Sequence, residues 1–213
     1  LSHLRIISPR WDECIIAATG PSLTKEVADK CRGNNIIAVN DAYKLFPFAD
    51  VLYACDAKWW GVHDGCLYFH GEKWSSHSPR TNEKTEASEK YGLNLIRGND
   101  YDGFSLDPAQ IHYGSNSGFQ AINLAILFGC KRILLVGFDM HSKNGRHFFG
   151  DHPSPLTNKI HYENLIRIFQ TAVNLMPKDI EIINCTPGSE LKCFPTAKLE
   201  VALDYSRNAV RRT

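Results

Sequence analysis

Five short runs of the chain are apolar at nearly every position: ECIIAA (13–18), NIIAVN (35–40), DVLYAC (50–55), RILLVG (132–137) and IEIINC (180–185). They are rich in Ile, Val and Leu and lack the in-and-out alternation of a half-exposed strand, which is the pattern of strands covered on both faces of a parallel sheet. Between them, LTKEVADKC (23–31), SGFQAINLAILFG (117–129) and KIHYENLIRIFQTAVNLM (159–176) return apolar residues every three or four positions. That is the helical period, and in the last segment Leu165, Phe169, Val173 and Met176 fall on one stripe. Strand, helix and strand in repeated order predict an α/β, Rossmann-like domain with a mostly parallel sheet and helices on both faces. Positions 59–110 break the rhythm with turn residues and the polar run SSHSPRTNEKTEASEKYG, leaving short candidate strands at 67–70 and 94–97. The expectation is a single domain over 1–213 with an irregular insertion at about 59–110, a segment type that in α/β domains is more often a functional loop than a spacer.

Composition narrows the partners. Of 213 residues, 43% are hydrophobic and 22% charged, and the formal charge is only +1, so bulk electrostatics points to neither nucleic acid nor a membrane surface. The one basic run, RNAVRR (207–212), reads as a solvated tail. Seven cysteines, at 14, 31, 55, 66, 130, 185 and 193, are scattered without a C-x-x-C pair, which speaks against a zinc knuckle or a disulfide framework and for a reducing, cytoplasmic setting. No charged-then-apolar signal pattern and no run of 18 apolar residues is present, so neither export nor membrane spanning is expected. Nothing in the sequence bears on oligomeric state.

In an open α/β sheet ligands bind beyond the carboxyl ends of the strands, so chemistry is sought just after each apolar run. There the chain carries Thr19, Gly20, Pro21 and Ser22, then Asn40 and Asp41, then Asp56, then Gly137, Phe138 and Asp139, then Thr186, Pro187 and Gly188. Gly20 permits close approach of backbone to a ligand, Pro21 suits a first helical turn, and Ser22 has the hydroxyl to cap N–H groups that would hold an anion. The alternative is a structural turn, and Asp41 reads equally as a helix cap. Gly114, Ser115, Asn116, Ser117 and Gly118 stand directly ahead of a long apolar helix, where small side chains, open N–H groups and the positive end of the helix would converge on a second side of one ligand. An ordinary Ser or Asn cap is the alternative there.

In order and spacing, IIAATGPSL, IIAVNDAYKLFPFADVLYACD and GSNSGFQAINLAILFGCKRILLVGFD resemble the superfamily that joins small CMP-sugar-dependent bacterial sialyltransferases to 6-hydroxymethylpterin diphosphokinase MptE-like proteins. The resemblance covers the first 56 residues and 113–139, and the closing NCTPGSELKCFPTAKLEVAL resembles the C-terminus of MptE-like proteins encoded in phage or prophage. For the sialyltransferase-like members it implies that Gly20, Pro21, Ser22, Asn40, Ser117 and Gly118 contact the donor nucleotide, that no metal is required, that tyrosines after the G-x-D block steady the departing phosphate, and that a histidine further on is the base. This chain has His141 and His147 at the tyrosine positions, and His161 comes earlier than the expected base. For the MptE-like members the resemblance implies a nucleoside triphosphate in the same corner, with Mg²⁺ near Asp56 and Asp139.

Histidine titrates near neutrality and is the natural acid or base, so His147 and His161 are the catalytic candidates, with a surface hydrogen bond at a helix terminus the alternative for His161. The gaps between His141, His147 and His152 match no zinc-ligand signature. Lys143 and Arg146 are candidate phosphate clamps, Trp59 and Trp60 either a stacking platform or core cover, and no G-x-S-x-G elbow marks a hydrolase. The expected function is a glycosyltransferase using a CMP- or similarly activated sugar, a nucleotide-linked small molecule being its partner. Mg²⁺-dependent diphosphate transfer from ATP and a non-catalytic nucleotide-binding phage or prophage protein are the alternatives.

Overall fold

Apolar runs that cannot face water become the middle of a sheet. The computed structural model describes residues 4–78, 83–156 and 160–210. Among them, eight strands, β1 (Glu13–Ala17), β2 (Ile36–Val39), β3 (Val51–Tyr53), β4 (Glu72–His77), β5 (Asn94–Asn99), β6 (Gln110–His112), β7 (Arg132–Val136) and β8 (Glu181–Asn184), form one sheet in the order β6-β5-β4-β3-β2-β1-β7-β8. Every pairing is parallel. This is the Rossmann-like α/β architecture that the alternating pattern implies.

Successive side chains of a strand point to opposite faces, so each buried strand feeds two cores. Cys14, Ile16, Ile37, Val39 and Tyr53 pack on one face with Phe119 and Ile122 of α4 (Ser117–Leu127) and Phe169 and Ala172 of α5 (Tyr162–Leu175). Ile15, Ala17, Ala38, Leu52 and Val136 pack on the other with Ala28 of α1 (Lys25–Lys30), Trp59 and Trp60 of α2 (Ala57–Val62), Ala87 of α3 (Glu83–Tyr91), and Leu199 and Ala202 of α6 (Leu199–Val210). All eleven residues of α4 are buried, so its two amides must find partners inside. Gln120 accepts from the Tyr53 hydroxyl at 2.6 Å and donates to the Tyr113 carbonyl at 2.9 Å, while Asn123 accepts from the Ser105 and His112 N–H groups, both at 2.9 Å.

The chain runs outward from β1 through β2 to β6, then returns by way of α4 to lay β7 against the opposite edge of β1. That reversal opens a crevice above the carboxyl ends of β1 and β7. The stretch at 59–110 is regular where the sequence suggested irregularity: it holds most of α2, a 3-10 turn at Asp64–Cys66, β4, α3 and β5. Positions 67–70 form no strand, and 79–82 lie outside the described residues. Of the basic run, the backbone of 207–210 continues α6, whereas 211 and 212 lie outside the described residues.

Candidate functional site

The first wall of the crevice is the turn that follows β1. Gly20 donates its N–H to the Gly137 carbonyl at 2.9 Å, and the Leu23 N–H closes the turn on the Gly20 carbonyl at 3.0 Å. A Cβ on Gly20 would collide with the Asp139 carboxylate and the Gly137 carbonyl, so only glycine fits between the two strand ends. Asp139, 4% exposed, accepts from the Ser22 N–H at 3.1 Å and from the Ser22 hydroxyl at 2.7 Å, one bond to each carboxylate oxygen. The helix begins later than the Gly-Pro-Ser motif suggested. α1 starts at Lys25 and is capped by Thr24, whose hydroxyl accepts from the Val27 N–H at 3.2 Å. Pro21 and Ser22 therefore lie in the turn, and Ser22 serves Asp139 instead of a helix end.

The second wall is the start of α4. Asn116 caps it, accepting from the Phe119 N–H at 2.8 Å, and Ser117 accepts from the Cys55 N–H at 3.0 Å, which ties the helix end to the exit of β3. Between these walls lies a cleft of about 450 Å³, a size suited to a small ligand. Of the residues expected at the site, Thr19, Gly20, Asn40, Asp56, Asn116, Ser117, Gly118, Asp139, His147 and His161 line it, and Pro21, Ser22 and Asp41 do not. Three of the lining residues, Asn40, Ser115 and Met140, have positive φ, at 48°, 61° and 55°. Left-handed backbone at non-glycine residues costs energy and collects where function holds it in place.

The aspartates differ in kind. Asp56 caps α2, accepting from the Lys58 N–H at 2.8 Å. Asp41, 1% exposed, sits behind the cleft wall, where its carboxylate accepts from Lys44 Nζ at 2.6 Å and from the Trp59 indole at 2.9 Å. Burial pushes this carboxyl up, but the Lys44 ammonium and the Trp59 N–H outweigh it and hold the group below the ordinary Asp value. Asp41 is thus an interior anion that does not line the cleft, whereas its neighbour Asn40 in the 3-10 turn Asn40–Lys44 does. Trp60 is fully buried, and Trp59, 3% exposed, belongs to both the core and the cleft lining, so the pair does not form an open stacking platform.

The segment after β7 folds over the cleft. His147 Nδ1 lies 2.9 Å from the Thr19 hydroxyl, its ring stacks on Phe149 at 4.9 Å, and the Phe148 N–H donates to the Thr19 carbonyl at 3.0 Å. Burial, helped by neighbouring His152, pushes His147 down to about 4. His161 immediately precedes α5; it is exposed and its side chain caps nothing. Lys143 pairs with Glu190 at 2.6 Å outside the main cleft, whereas Arg146 lines it. Among the described residues, no group of three or more His, Cys, Asp or Glu is placed to hold a metal ion. None of their helices is long and apolar enough to cross a membrane.

The depressed His147 has a consequence for stability. The unfolded chain takes up a proton on this residue near the ordinary 6.5 and the folded one near 4, so the folded state loses ground as pH falls through that window. Thermal melts should show Tm dropping between about pH 6.5 and 4, and His147→Gln should flatten part of that slope. An unchanged slope in the variant would contradict the burial of the neutral ring.

No protein family and no curated protein matches the sequence. The fold, by contrast, resembles solved structures. The MAf glycosyltransferase from Magnetospirillum magneticum AMB-1 is 13% identical with a TM-score of 0.61, covering 92% of this chain and 35% of its own, so the chain spans about a third of that protein. The sialyltransferase CstII from Campylobacter jejuni, solved with the substrate analogue cytidine-5′-monophosphate, is 16% identical with a TM-score of 0.53, covering 89% of this chain and 86% of its own. The chain has the fold these two enzymes share.

Sequence reasoning missed most of the apolar lining, including Val39, Leu156 and Ile160, and it missed Asp41, His63 and His152 as a group. The first look like core in any hydropathy pattern. The second come from three separate segments that no spacing relates.

Proposed function

We propose that the chain is a glycosyltransferase-like enzyme that binds a nucleotide-activated sugar, with a cytidine monophosphate donor favoured. One observation carries the reading: the Gly20 turn and the N-terminal end of the 11-residue α4 line the same cleft at the β1–β7 reversal. A helix start with its N–H groups and positive end, set across the cleft from a turn held tightly between two strand ends, suits a phosphate. The fold is shared with a transferase solved with CMP, which favours that nucleotide. Thr19, Gly20, Asn40, Asn116, Ser117 and Gly118 would form the cradle. Arg146, on the segment over the cleft, would meet the departing phosphate.

ATP- and Mg²⁺-dependent diphosphate transfer is supported less well by these side chains. Both Asp139 oxygens accept from Ser22 and one Asp56 oxygen caps α2, so the two carboxylates already hold the turn and the helix. Calorimetric titration with CMP, UDP, GDP and ATP, with and without Mg²⁺, separates the readings. Metal-independent CMP binding is the expected result. Binding of ATP alone, dependent on Mg²⁺, would overturn it, and tight nucleotide binding without turnover of any activated sugar would make the chain a binding module.

A further inference from the structure

Beyond β7 the cleft has a neighbour. A second, more open hollow, again of about 450 Å³, lies between the 140–143 stretch, the first two turns of α5 and Glu190. Met140, His141 and Tyr162 line both hollows, so the two meet along these three side chains. The seam stands on a fixed post. Met140 has φ of 55°, and beside it the Asp139 carbonyl accepts from the Glu190 N–H at 2.9 Å while the Asp139 carboxylate holds Ser22. Non-glycine backbone in that region persists where the surroundings over-determine it.

The lining combines two chemistries. Met140 and Ile166 are half-buried and pack against the core, and Tyr162 is half-buried as well, which gives the hollow an apolar patch. Ser142, Lys143, Glu163 and Glu190 add hydroxyl, ammonium and carboxylate groups. Lys143 Nζ and Glu190 Oε1 are 2.6 Å apart, with side chains 69% and 39% exposed. An ion pair this open contributes little to stability, so its bond can be exchanged for bonds to a ligand at small cost. The Lys143 ammonium holds the Glu190 carboxyl below its ordinary value, so the pair stays charged at neutral pH. With Glu163 counted, two carboxylates stand against one ammonium and the hollow is negative in balance.

We propose that this hollow is the acceptor subsite and that the acceptor it takes is a neutral saccharide; this rests on the glycosyl-transfer reading above. A pyranose has an apolar C–H face to lay on Met140, Tyr162 and Ile166, and hydroxyls that donate to the two carboxylates and accept from Lys143. An acidic sugar would bring a further anion to a negative hollow, and like charges in contact repel. The seam gives the two ligands a place to meet: an acceptor seated in one hollow reaches the activated sugar of a donor seated in the other along Met140 and Tyr162. Lys143, Glu163, Ile166 and Glu190 line this hollow and not the nucleotide cleft, so they can be changed without altering the cradle.

The test titrates the protein, in the presence of CMP, with the methyl glycosides of glucose, galactose and N-acetylglucosamine and with methyl glucuronide and N-acetylneuraminic acid, read by backbone amide shifts. The neutral sugars should give saturable changes at 140–143, 162–166 and 190, and the acidic ones should bind at least about fivefold more weakly. Ile166→Trp, which fills the hollow, should weaken the neutral sugars at least about tenfold, and Glu163→Lys should remove the discrimination against the acidic ones. The CMP affinity of both variants should stay within about threefold of wild type, which reports that the cleft is folded. Should Ile166→Trp lose CMP binding as well, the Glu163→Lys comparison decides alone. Nucleotide release from CMP-, UDP- and GDP-activated sugars, with the same saccharides as acceptors, supplies the kinetic arm: Ile166→Trp should raise the acceptor KM at least about tenfold at unchanged donor KM. Neutral sugars that shift no amide of this hollow, acidic sugars that bind better in wild type, or an Ile166→Trp protein with wild-type acceptor KM would overturn the proposal and leave the transferase reading standing. A wild type that releases nucleotide from none of the three donor classes would sink that reading, and the proposal with it.

Discussion

Gly20→Ala should destabilise the protein by about 1–3 kcal/mol, the usual cost of forcing a methyl group into packed surroundings. It should also weaken nucleotide binding at least tenfold. The added carbon would meet the Asp139 carboxylate on one side and the Gly137 backbone carbonyl on the other, and the second cannot swing aside as a flexible side chain would. Relief would have to come from moving the β1 and β7 exits apart. That movement breaks the 2.9 Å bond from the Gly20 N–H to the Gly137 carbonyl and loosens the one from the Ser22 N–H to Asp139. The same two strand ends form the cleft wall, so stability and binding should fall together. Thermal melts and CMP titration of the one variant measure both. A Gly20→Ala protein that melts and binds as wild type would show that the turn is not packed as described.

Asp139→Ala should cost about 3 kcal/mol or more, because hydrogen bonds to a charged acceptor contribute about 1.5–3 kcal/mol each and two are lost. The Ser22 N–H and hydroxyl would both lose their acceptor in a part-buried turn. Asp139→Asn keeps one carbonyl oxygen for the Ser22 N–H and an amide that can donate to the Ser22 hydroxyl, so it should recover part of the stability. This pair of variants also separates a structural carboxylate from a metal ligand. A strut gives a loss of stability that Asn partly rescues, with nucleotide binding insensitive to Mg²⁺. A ligand gives nearly unchanged melting and a Mg²⁺-dependent loss of affinity in both variants.

The middle of the sheet was legible because burial on both faces leaves a simple trace. β1, β2, β3, β7 and β8 each lie within one of the apolar runs, trimmed by a residue or two where Ala18, Asn40, Cys55 and Gly137 leave the strand for the cleft. In the other half of the sheet only β5 was marked, by the short candidate strand at 94–97. β4 reads EKWSSH and buries two serines, Ser75 and Ser76, while β6 is three residues long, so neither carries the run of Ile, Val and Leu that marks a strand. The place of the cleft followed from the rule that crevices open at strand ends, and Gly20, Asn40 and Ser117 line it. Local rotation was not legible. Asn40 and Asp41 are adjacent and similarly polar, yet a 3-10 turn sends one into the cleft and the other into the interior. Ser22 looked like a helix cap because nothing local announces that Asp139, 117 positions away, claims its hydroxyl.

On the proposed reading, the Gly20 turn and the start of α4 hold one nucleotide between them. Backbone amide shifts recorded during a CMP titration test it most directly. Saturable changes should concentrate at 19–20, 40, 115–118 and 137–139 and leave the β6 and β8 edges still. Changes centred on another surface, or no saturable change as CMP is raised into the millimolar range, would contradict the account.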